Sequence, residues 1–381
     1  MSWHKIPLKN LGQIIGGGTP STKEPLNFGA DYPWITPKDL SRQGQRYIDH
    51  GERGISTEGL TRSSAKLLPA GSVIVSSRAP IGLTAIATVP VTTNQGCRSF
   101  VPGRDADSLF MYYLLGSMTD QMESLANGST FKEISGSTLA AIEVSVPEIE
   151  EQRAIAATLG ALDDKIESNR RAVDIAENLG DQLFATAVDG AAALADVATL
   201  TMGSSPPGDS YNECGDGLPF YQGIRDFGRR YPGHRVWTTN AIRLAQEGDS
   251  LVSVRAPVGE LNRSLETCCI GRGVAAVRST HPSTVFYALR AADSLWEPFQ
   301  QEGTVFGAIN KSDLSSARLP WPRAAALASL EGTLSAIDSK IRSLSLESEH
   351  LANLRDSLLP VLLSGRVRVP AIREVVQEVA T

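Results

Sequence analysis

The segment 224–236 concentrates arginine, the residue type best suited to forked contacts with phosphate and guanine. Its four arginines share the segment with a single acid, Asp226; they are Arg225, Arg229, Arg230 and Arg235. Arginine fills 12 of the 13 basic positions between residues 191 and 325, which favours bidentate contacts over the diffuse attraction of lysine. We interpret the segment as a candidate surface for reading nucleic-acid bases; a solvated loop is the alternative.

Another arginine lies in a motif that recurs once in each half of the sequence. Arg78 stands in VSSRAPIG (75–82) and Arg255 in VSVRAPVG (252–259), each at the end of a short apolar run that predicts a buried strand. A guanidinium there can clamp a phosphate or fork onto guanine, or it can hold the Ala-Pro turn through backbone carbonyls. Because both occurrences are alike, we favour phosphate binding or a structural role over base reading.

The sequence offers no convincing catalytic arrangement. The glycine run 16–20 lacks the Gly-Lys-Ser/Thr of a phosphate loop, and the Gly-Arg-Gly at 271–273 lacks the third glycine of a dinucleotide site. Asp163 and Asp164 are adjacent on a predicted helix, where neighbours do not face one site. The four cysteines form no C-x-x-C pair, and the five histidines add no zinc-like spacing. We expect a non-catalytic chain without a metal or cofactor of its own.

A net charge of −6 argues at first sight against nucleic acid, whose phosphates are bound by Lys and Arg. The excess acid is concentrated in one segment, however, since residues 150–190 carry 9 acidic and 4 basic residues. The N-terminus lacks the apolar stretch of a signal peptide, and no run approaches the roughly 18 apolar residues of a membrane span. We expect a reduced, cytoplasmic protein, and its 381 residues favour two domains.

The chain repeats itself once. LKNLGQIIGGGTP (8–20) aligns with LADVATLTMGSSP (194–206) at an offset of 186, the two R-A-P segments align at 177, and LGALDDKI (159–166) aligns with LSAIDSKI (334–341) at 175. A repeat of this length fixes the architecture. Each copy predicts a loop-rich α+β domain followed by a long helix.

Each predicted helix carries a heptad seam of apolar residues in a four-three spacing. The seam positions are Ile155, Leu159, Leu162, Ile166, Val173, Ala176 and Leu183, then Leu330, Leu334, Ile337, Ile341, Leu344, Leu351 and Leu358. Polar Asn169, Ser348 and Arg355 interrupt the seams and can fix the register. The seams suit a homodimer, but we favour antiparallel pairing of the two helices within one chain, which relates the domains by a pseudo-twofold axis.

The ordered motifs resemble the specificity (S) subunits of type I restriction-modification systems over essentially the whole chain. The motifs that carry the resemblance are Gly17-Gly18-Thr19-Pro20, Pro33-Trp34-Ile35 with Asp39-Leu40, the segment 66–71, Arg78-Ala79-Pro80, Asn94-Gln95, Gly128-Ser129-Thr130 and Glu151-Gln152 before Leu162-Asp163. Each motif alone is weak, but most of them recur in the same order in the second half.

The resemblance implies a fold of two α+β target-recognition domains separated by two long helices packed as an antiparallel coiled coil. The expected segments are domain 1 at 1–149, helix 1 at 150–188, domain 2 at 189–323, helix 2 at 324–365 and a tail at 366–381. It further implies a cytoplasmic complex for phage defence, in which this chain binds a bipartite site on double-stranded DNA. Two methyltransferase subunits, which would hold S-adenosylmethionine, and restriction-translocation subunits are the implied partners.

Two sets of candidate site residues follow. The expected DNA contacts are Lys38, Arg42, Arg46, Ser77, Arg78, Ser129, Thr130, Lys132, Arg225, Arg229, Arg230, Arg235, Ser253, Arg255, Thr304 and Lys311. The expected docking residues for the methyltransferase are Glu151, Gln152, Arg153 and Ile155. Base reading is assigned to positions where the copies differ, because the two half-sites are expected to differ.

The second copy departs from the motif pattern. Ala326-Leu327 replace the Glu-Gln of the first copy, which puts equal docking of a second methyltransferase in question, and Pro219-Phe220-Tyr221 replace Pro-Trp-Ile. A repeated-domain scaffold that binds other proteins is the alternative function, and the modest net charge is its best support. A self-contained nuclease or methyltransferase is a third interpretation, disfavoured by the missing catalytic motifs.

Overall fold

The computed structural model describes residues 3–128, 132–299 and 307–369. It divides into two compact units, residues 1–167 with 348–381 and residues 168–347. Each unit contains one α+β part and a portion of each of two long helices. The division cuts through both helices, and the five segments expected from the sequence stay a prediction.

The first unit is built on a five-stranded sheet of order β2-β9-β6-β7-β4, with a three-stranded sheet β5-β3-β8 and a pair β1-β10. Its strands are β1 His4–Pro7, β2 Gly12–Gly16, β3 Phe28–Ile35, β4 Tyr47–Ile48, β5 Arg53–Ile55, β6 Val73–Ser76, β7 Thr84–Ala87, β8 Thr92–Thr93, β9 Cys97–Pro102 and β10 Glu143–Val146. Its short helices are α1 Leu8–Leu11, α2 Pro37–Gln43, α3 Thr57–Thr61, α4 Ser108–Ser117, α5 Thr119–Leu125 and α6 Gly136–Ala141, with a 3-10 turn at Pro25–Asn27.

Strand β6 is the centre of the first unit. All four of its residues are buried, and Val73 lies opposite Phe100 of β9 and Ile86 of β7. Helix α4 covers one side of this sheet, so the residues of β6 that face it are apolar. The helix is capped by the side chain of Asp107, which accepts a hydrogen bond from the Phe110 amide (2.9 Å). The short apolar run that ends before Arg78 therefore predicts this strand correctly.

The second unit repeats this plan. A four-stranded sheet of order β12-β20-β17-β18 corresponds to β2-β9-β6-β7, beside a five-stranded sheet β13-β15-β14-β19-β16 and a pair β11-β21. The long helix α7, Ile149–Ala187, precedes it. The remaining strands are β11 Val188–Ala193, β12 Thr199–Met202, β13 Tyr211–Asn212, β14 Leu218–Tyr221, β15 Trp237–Thr238, β16 Leu244–Ala245, β17 Ser250–Ser253, β18 Leu261–Arg263, β19 Cys268–Ile270, β20 Val274–Arg278 and β21 Arg318–Pro322. The helices are α8 Leu194–Val197, α9 Pro282–Ala291, α10 Lys311–Ser316 and α11 Ala324–Leu363, with 3-10 turns at Gly208–Ser210, Ile224–Asp226 and Asp293–Phe299.

The register of the central strands agrees between the units. Ser250 of β17 lies opposite Val277, as Val73 of β6 lies opposite Phe100, so both pairs are related by an offset of 177. The repeat found in the sequence is therefore a repeat of strand pairing as well as of residue type.

The long helices α7 and α11 pack antiparallel within the second unit. Asn169 Nδ2 donates to Glu347 Oε2 (2.9 Å), and further along α7 Phe184 shares a buried apolar core with Leu330 and Leu334. Residue numbers thus rise along one helix as they fall along the other. The fold class predicted from the repeat and the seams, including the antiparallel sense, is confirmed.

The polar seam positions have partners. Asn169 uses Glu347, and in the first unit Arg355 Nη1 donates to Asp163 Oδ1 (2.7 Å). These bonds form only in one alignment of the helices, which is how a polar seam residue sets register.

The thiols Cys97, Cys268 and Cys269 are buried, and Cys214 is exposed; none of the four forms a disulfide. Burial raises the pKa of Cys97 and of Cys268 to about 12, so these thiols stay protonated at neutral pH. Among the described residues no three His, Cys, Asp or Glu side chains are grouped to hold a metal ion. None of the helices in the described ranges combines the length and apolar character needed to cross a membrane.

Candidate nucleic-acid interface

A cleft of about 410 Å³ in the second unit collects four arginines. They come from separate parts of the chain: Arg225 and Arg235 from the arginine-rich segment, Arg255 from the end of β17, and Arg272 from the loop before β20. Within the described ranges no carboxylate pairs with Arg225, Arg255 or Arg272. A concave surface with this charge is suited to bind a polyanion.

One acid in the cleft is already used by the fold. Asp226 Oδ2 accepts the Gln222 amide (2.7 Å), while its Oδ1 accepts two N–H groups of Arg235, from Nε (3.0 Å) and Nη2 (2.7 Å). The carboxylate is buried, and Arg235 remains partly exposed. Asp226 therefore orients Arg235 and leaves the cleft with a net positive charge.

An aromatic pair forms part of the cleft wall. The rings of Tyr211 and Phe220 stack with centroids 4.9 Å apart, and the Tyr211 hydroxyl donates to Pro206 O (2.9 Å). Phe220 stands where the first copy has Trp34, so the altered Pro-Trp-Ile motif shapes this wall. The wall supplies apolar contact area beside the guanidinium groups.

Arg272 is exposed and lies between two glycines that pack closely against the fold. A Cβ at Gly273 would lie 2.4 Å from Gln222 O, and one at Gly271 would lie 3.0 Å from Gln222 Cα. Glycine on both sides lets the loop lie against the backbone at the end of β14, with Gly273 N donating to Gln222 O (3.1 Å). This residue was absent from the set expected from the sequence. The sequence feature that could have identified Arg272 is the Gly-Arg-Gly triplet, which aligns with Asn94-Gln95-Gly96 of the first copy.

The corresponding surface of the first unit carries paired charges. Lys38 Nζ and Arg42 Nη1 both bind Glu52 Oε2, at 2.8 and 2.9 Å. The hydrogen bond and charge of Lys38, with the charge of Arg42, lower the pKa of Glu52. Lys38 and Arg42 are exposed, as expected of DNA contacts, but they share one carboxylate. Gln95, the counterpart of Arg272, is neutral and bonded to Thr19.

Two expected DNA contacts are arginines that the fold encloses. Arg46 donates to Gly160 O of α7 (3.2 Å) and binds Asp164. Arg230, 3% exposed, binds Asp338 and donates from Nη1 to Glu177 (3.3 Å). Their guanidinium groups are used to dock each α+β part on the helix of its own unit, so they leave the DNA-contact set.

Two expected serines are also internal. Ser253 Oγ donates to Pro257 O (2.6 Å) and accepts the Glu260 amide (2.9 Å), so it holds the turn that follows β17. Ser76, not Ser77, does the same in the first copy. Ser77 is fully buried. Neither Ser77 nor Ser253 presents a hydroxyl to solvent.

The remaining expected contacts are distributed as follows. Arg229 is partly exposed but is paired with Asp174 and with Glu177. Lys132 and Lys311 are exposed. Ser129, Thr130 and Thr304 lie outside the described residues.

Of the four expected docking residues, two belong to the core of the first unit. Gln152, 1% exposed, donates to Asp105 O and Pro147 O and accepts the Asp107 amide (3.1 Å). Ile155 is buried in the same core. Glu151 is partly exposed, and Arg153 is exposed and bound to Glu150 (2.9 Å).

The role of Gln152 changes the meaning of its loss in the second copy. In the second copy the helix equivalent to α4 is α9. Glu331 caps its first turn by accepting hydrogen bonds from the amides of Ser283 (3.1 Å) and Thr284 (2.8 Å). The replacement of Glu-Gln by Ala326-Leu327 is thus a different solution for joining α9 to α11. The loss of Gln152 is therefore explained by the fold, whereas the replacement of partly exposed Glu151 by Ala326 still leaves equal docking in question.

Comparisons with known proteins agree with this architecture. Residues 1–174 match the family described as the type I restriction modification DNA specificity domain. Over 184 residues the chain is 41% identical to the type I restriction enzyme MjaIX specificity subunit of Methanocaldococcus jannaschii, covering 48% of this chain and 43% of that protein. Over 151 residues it is 34% identical to the HindI specificity subunit of Haemophilus influenzae, covering 39% of this chain and 32% of that protein.

The chain spans less than half the length of these curated relatives. A crystal structure of a type I restriction-modification system S subunit from M. genitalium has the same fold, with a TM-score of 0.65 and 16% identity over 95% of this chain and 96% of that chain. Residues 1–174 therefore match the type I restriction modification DNA specificity domain, and almost the whole chain shares its fold with that S subunit.

Proposed function

We propose that this chain is the non-catalytic, DNA-reading subunit of a type I restriction-modification complex. In this proposal each unit binds one half of a bipartite target on double-stranded DNA. The observation that carries the proposal is the cleft with Arg225, Arg235, Arg255 and Arg272, because an exposed arginine can fork onto the two acceptors of guanine or onto a phosphate. The family membership of residues 1–174 supports a DNA-reading role for the first unit.

The chemistry in such a complex belongs to the partners. Methyltransferase subunits would hold S-adenosylmethionine and methylate adenine, and restriction-translocation subunits would cut unmodified DNA. The contribution of this chain is to place those subunits on the target. A difference of one bidentate contact is worth about 1–3 kcal/mol of base discrimination, so a few cleft arginines are enough to define a half-site.

A methylome measurement tests the proposal. The full chain is co-expressed with the methyltransferase subunit of its own operon, and methylated adenines are mapped across the host genome. The expected result is a bipartite motif with a fixed unread gap. Methylation that is absent, or that follows one continuous motif, contradicts the proposal and favours the scaffold alternative.

The long helices are the proposed docking surface for the methyltransferase. Ile175 and Leu179 lie one turn apart on α7 and are 69% and 47% exposed. Two exposed apolar side chains on one helix face are typical of a site that another protein covers. Glu151 and Arg153 at the start of α7 remain candidates beside them.

Co-purification tests the docking surface. We expect Ile175→Asp with Leu179→Asp to abolish recovery of the methyltransferase with the tagged chain, because two charges would be buried in the interface. Leu26→Asp is the matched control, since Leu26 is 73% exposed but is not on a long helix. Equal recovery with the double variant and the control would contradict the assignment.

A further inference from the structure

The arginines Arg78 and Arg255 occupy equivalent places in the two units. Each follows its central strand, β6 or β17, and each precedes an Ala-Pro bond in the cis form. Each arginine also forms an isolated antiparallel β-bridge with a residue later in the chain, Arg78 with Glu133 and Arg255 with Ala308. The backbone setting is therefore the same, and the difference lies in the residue across the bridge.

In the first unit the residue across the bridge is an acid that engages two arginines. Glu133 Oε2 accepts from Arg78 Nε (2.9 Å), and Glu133 Oε1 accepts from Arg98 Nη2 (2.8 Å). Arg98 is fixed further by Gln95 O (3.0 Å) and Cys97 O (3.1 Å). Arg78 is 47% exposed, but its guanidinium is already bound to a carboxylate.

In the second unit both partners are replaced by alanine. Ala308 stands at the position of Glu133, and Ala275 stands at the position of Arg98, as the shared strand register shows. Arg255 is exposed and lines the cleft with Arg225 and Arg272. No carboxylate pairs with it in the described part of the chain.

From this contrast we infer that the residue across the bridge decides which of the two equivalent arginines contacts DNA. Ala308 leaves Arg255 available for a phosphate or base of the second half-site, whereas Glu133 keeps Arg78 as an internal structural residue of the first unit. The inference rests on the proposed function and refines it, since it assigns unlike roles to two residues that the repeat presents as equals. A guanidinium that must first give up a carboxylate gains less from a phosphate than one that has no such partner.

The test first removes each of the two arginines in turn. The full chain, in complex with its methyltransferase subunit, is titrated with a fluorescent duplex that carries the mapped target, at several salt concentrations. Arg255→Gln is expected to weaken binding about tenfold or more. The slope of log K against log salt should fall in magnitude by about 1 if the contact is to phosphate. Arg78→Gln, its matched control, is expected to stay within about twofold of the unsubstituted complex, because the arginine it removes is neutralised within the fold.

Two variants at Ala308 test the residue across the bridge while both arginines stay in place. Ala308→Glu is expected to reproduce the loss seen with Arg255→Gln, while Ala308→Gln, which has the same size without the charge, binds as the unsubstituted complex does. Circular dichroism melting of each variant shows that the fold is kept, as expected for exposed positions.

Distinct outcomes separate the inference from the proposed function. Equal losses for Arg78→Gln and Arg255→Gln, or unchanged binding with Ala308→Glu, would overturn the inference while leaving DNA recognition intact. An unsubstituted complex that binds a scrambled duplex as tightly as its target would overturn the proposed function, and the inference with it.

Discussion

Replacement of Asp338 by asparagine should destabilise the second unit far more than a single surface charge would. Asp338 is 6% exposed and binds both Arg230 and Arg263, whose guanidinium groups are also shielded from water. Glu177 supplies the other negative charge, at 3.3 Å from Arg230. The four groups are neutral together, and the substitution leaves one buried positive charge without compensation.

The magnitude follows from the cost of an uncompensated buried charge. Removing one partner of a buried pair costs about 3–5 kcal/mol, because the remaining ion has lost its hydration and gained no partner. Arg230 cannot escape by turning outward, since its guanidinium lies 4.0 Å from the centre of the Phe286 ring and is covered by it. An asparagine keeps the volume of the side chain, so the loss measures charge and not packing.

Native-state hydrogen exchange is the appropriate assay, because a chain of two units need not unfold in one step. Amide protection in α9 and β17 is expected to fall by at least about a hundredfold, the equivalent of roughly 3 kcal/mol. Glu247→Gln in the same unit is the control; Glu247 is 59% exposed, and its pair with Arg342 of α11 should contribute about 0–1 kcal/mol. A loss of stability below about 1 kcal/mol with Asp338→Asn would refute the idea that the charges of this network are shielded from water.

Three further predictions concern the same fold. Gly332→Ala should raise the free energy of unfolding by up to about 1 kcal/mol, because the added Cβ meets nothing within 4 Å. Gly180→Ala should lower the free energy of unfolding, because a Cβ there would lie 2.4 Å from the Tyr287 ring, and urea unfolding compares the two variants. Cys214 alone should react rapidly with a thiol reagent at about pH 8, the buried thiols reacting only on unfolding, and a second fast thiol in the absorbance trace would contradict this. Glu331→Gln should lower the melting temperature by a few degrees through weaker capping of α9, and an unchanged melt would argue against the capping role.

Periodicity and repetition in the sequence predicted the large features correctly. The heptad seams located α7 and α11, the polar seam residues Asn169 and Arg355 do form bonds that fix register, and the duplicated motifs mark equivalent strands. These features are visible in sequence because each depends on spacing within a short stretch. The antiparallel sense was an expectation that the spacing does not prove, and the contacts between the two helices in the structure confirm it.

The fates of individual arginines depended on partners far away in the chain. Arg229 and Arg230 are adjacent and identical in type, yet one is partly exposed and the other is buried against Glu177 and Asp338. Nothing local distinguishes them, because those carboxylates are more than 50 residues away on two helices. Gln152 was misjudged for the same reason: a polar residue in a family motif suggests a partner protein, but its amide bonds lie inside its own unit.

Asp163 and Asp338 hold equivalent positions in the two copies, and each receives a tyrosine hydroxyl and arginine side chains from the α+β part of its own unit. In the first unit these come from Tyr113 and Arg46, and in the second from Tyr287 and Arg230. Each long helix therefore presents one aspartate to the α+β part of its unit, while the arginines that bind this aspartate come from different places in the two parts. A domain transplanted onto a foreign helix would therefore have to bring arginine and a tyrosine hydroxyl to this aspartate, a requirement that is separate from the DNA it reads.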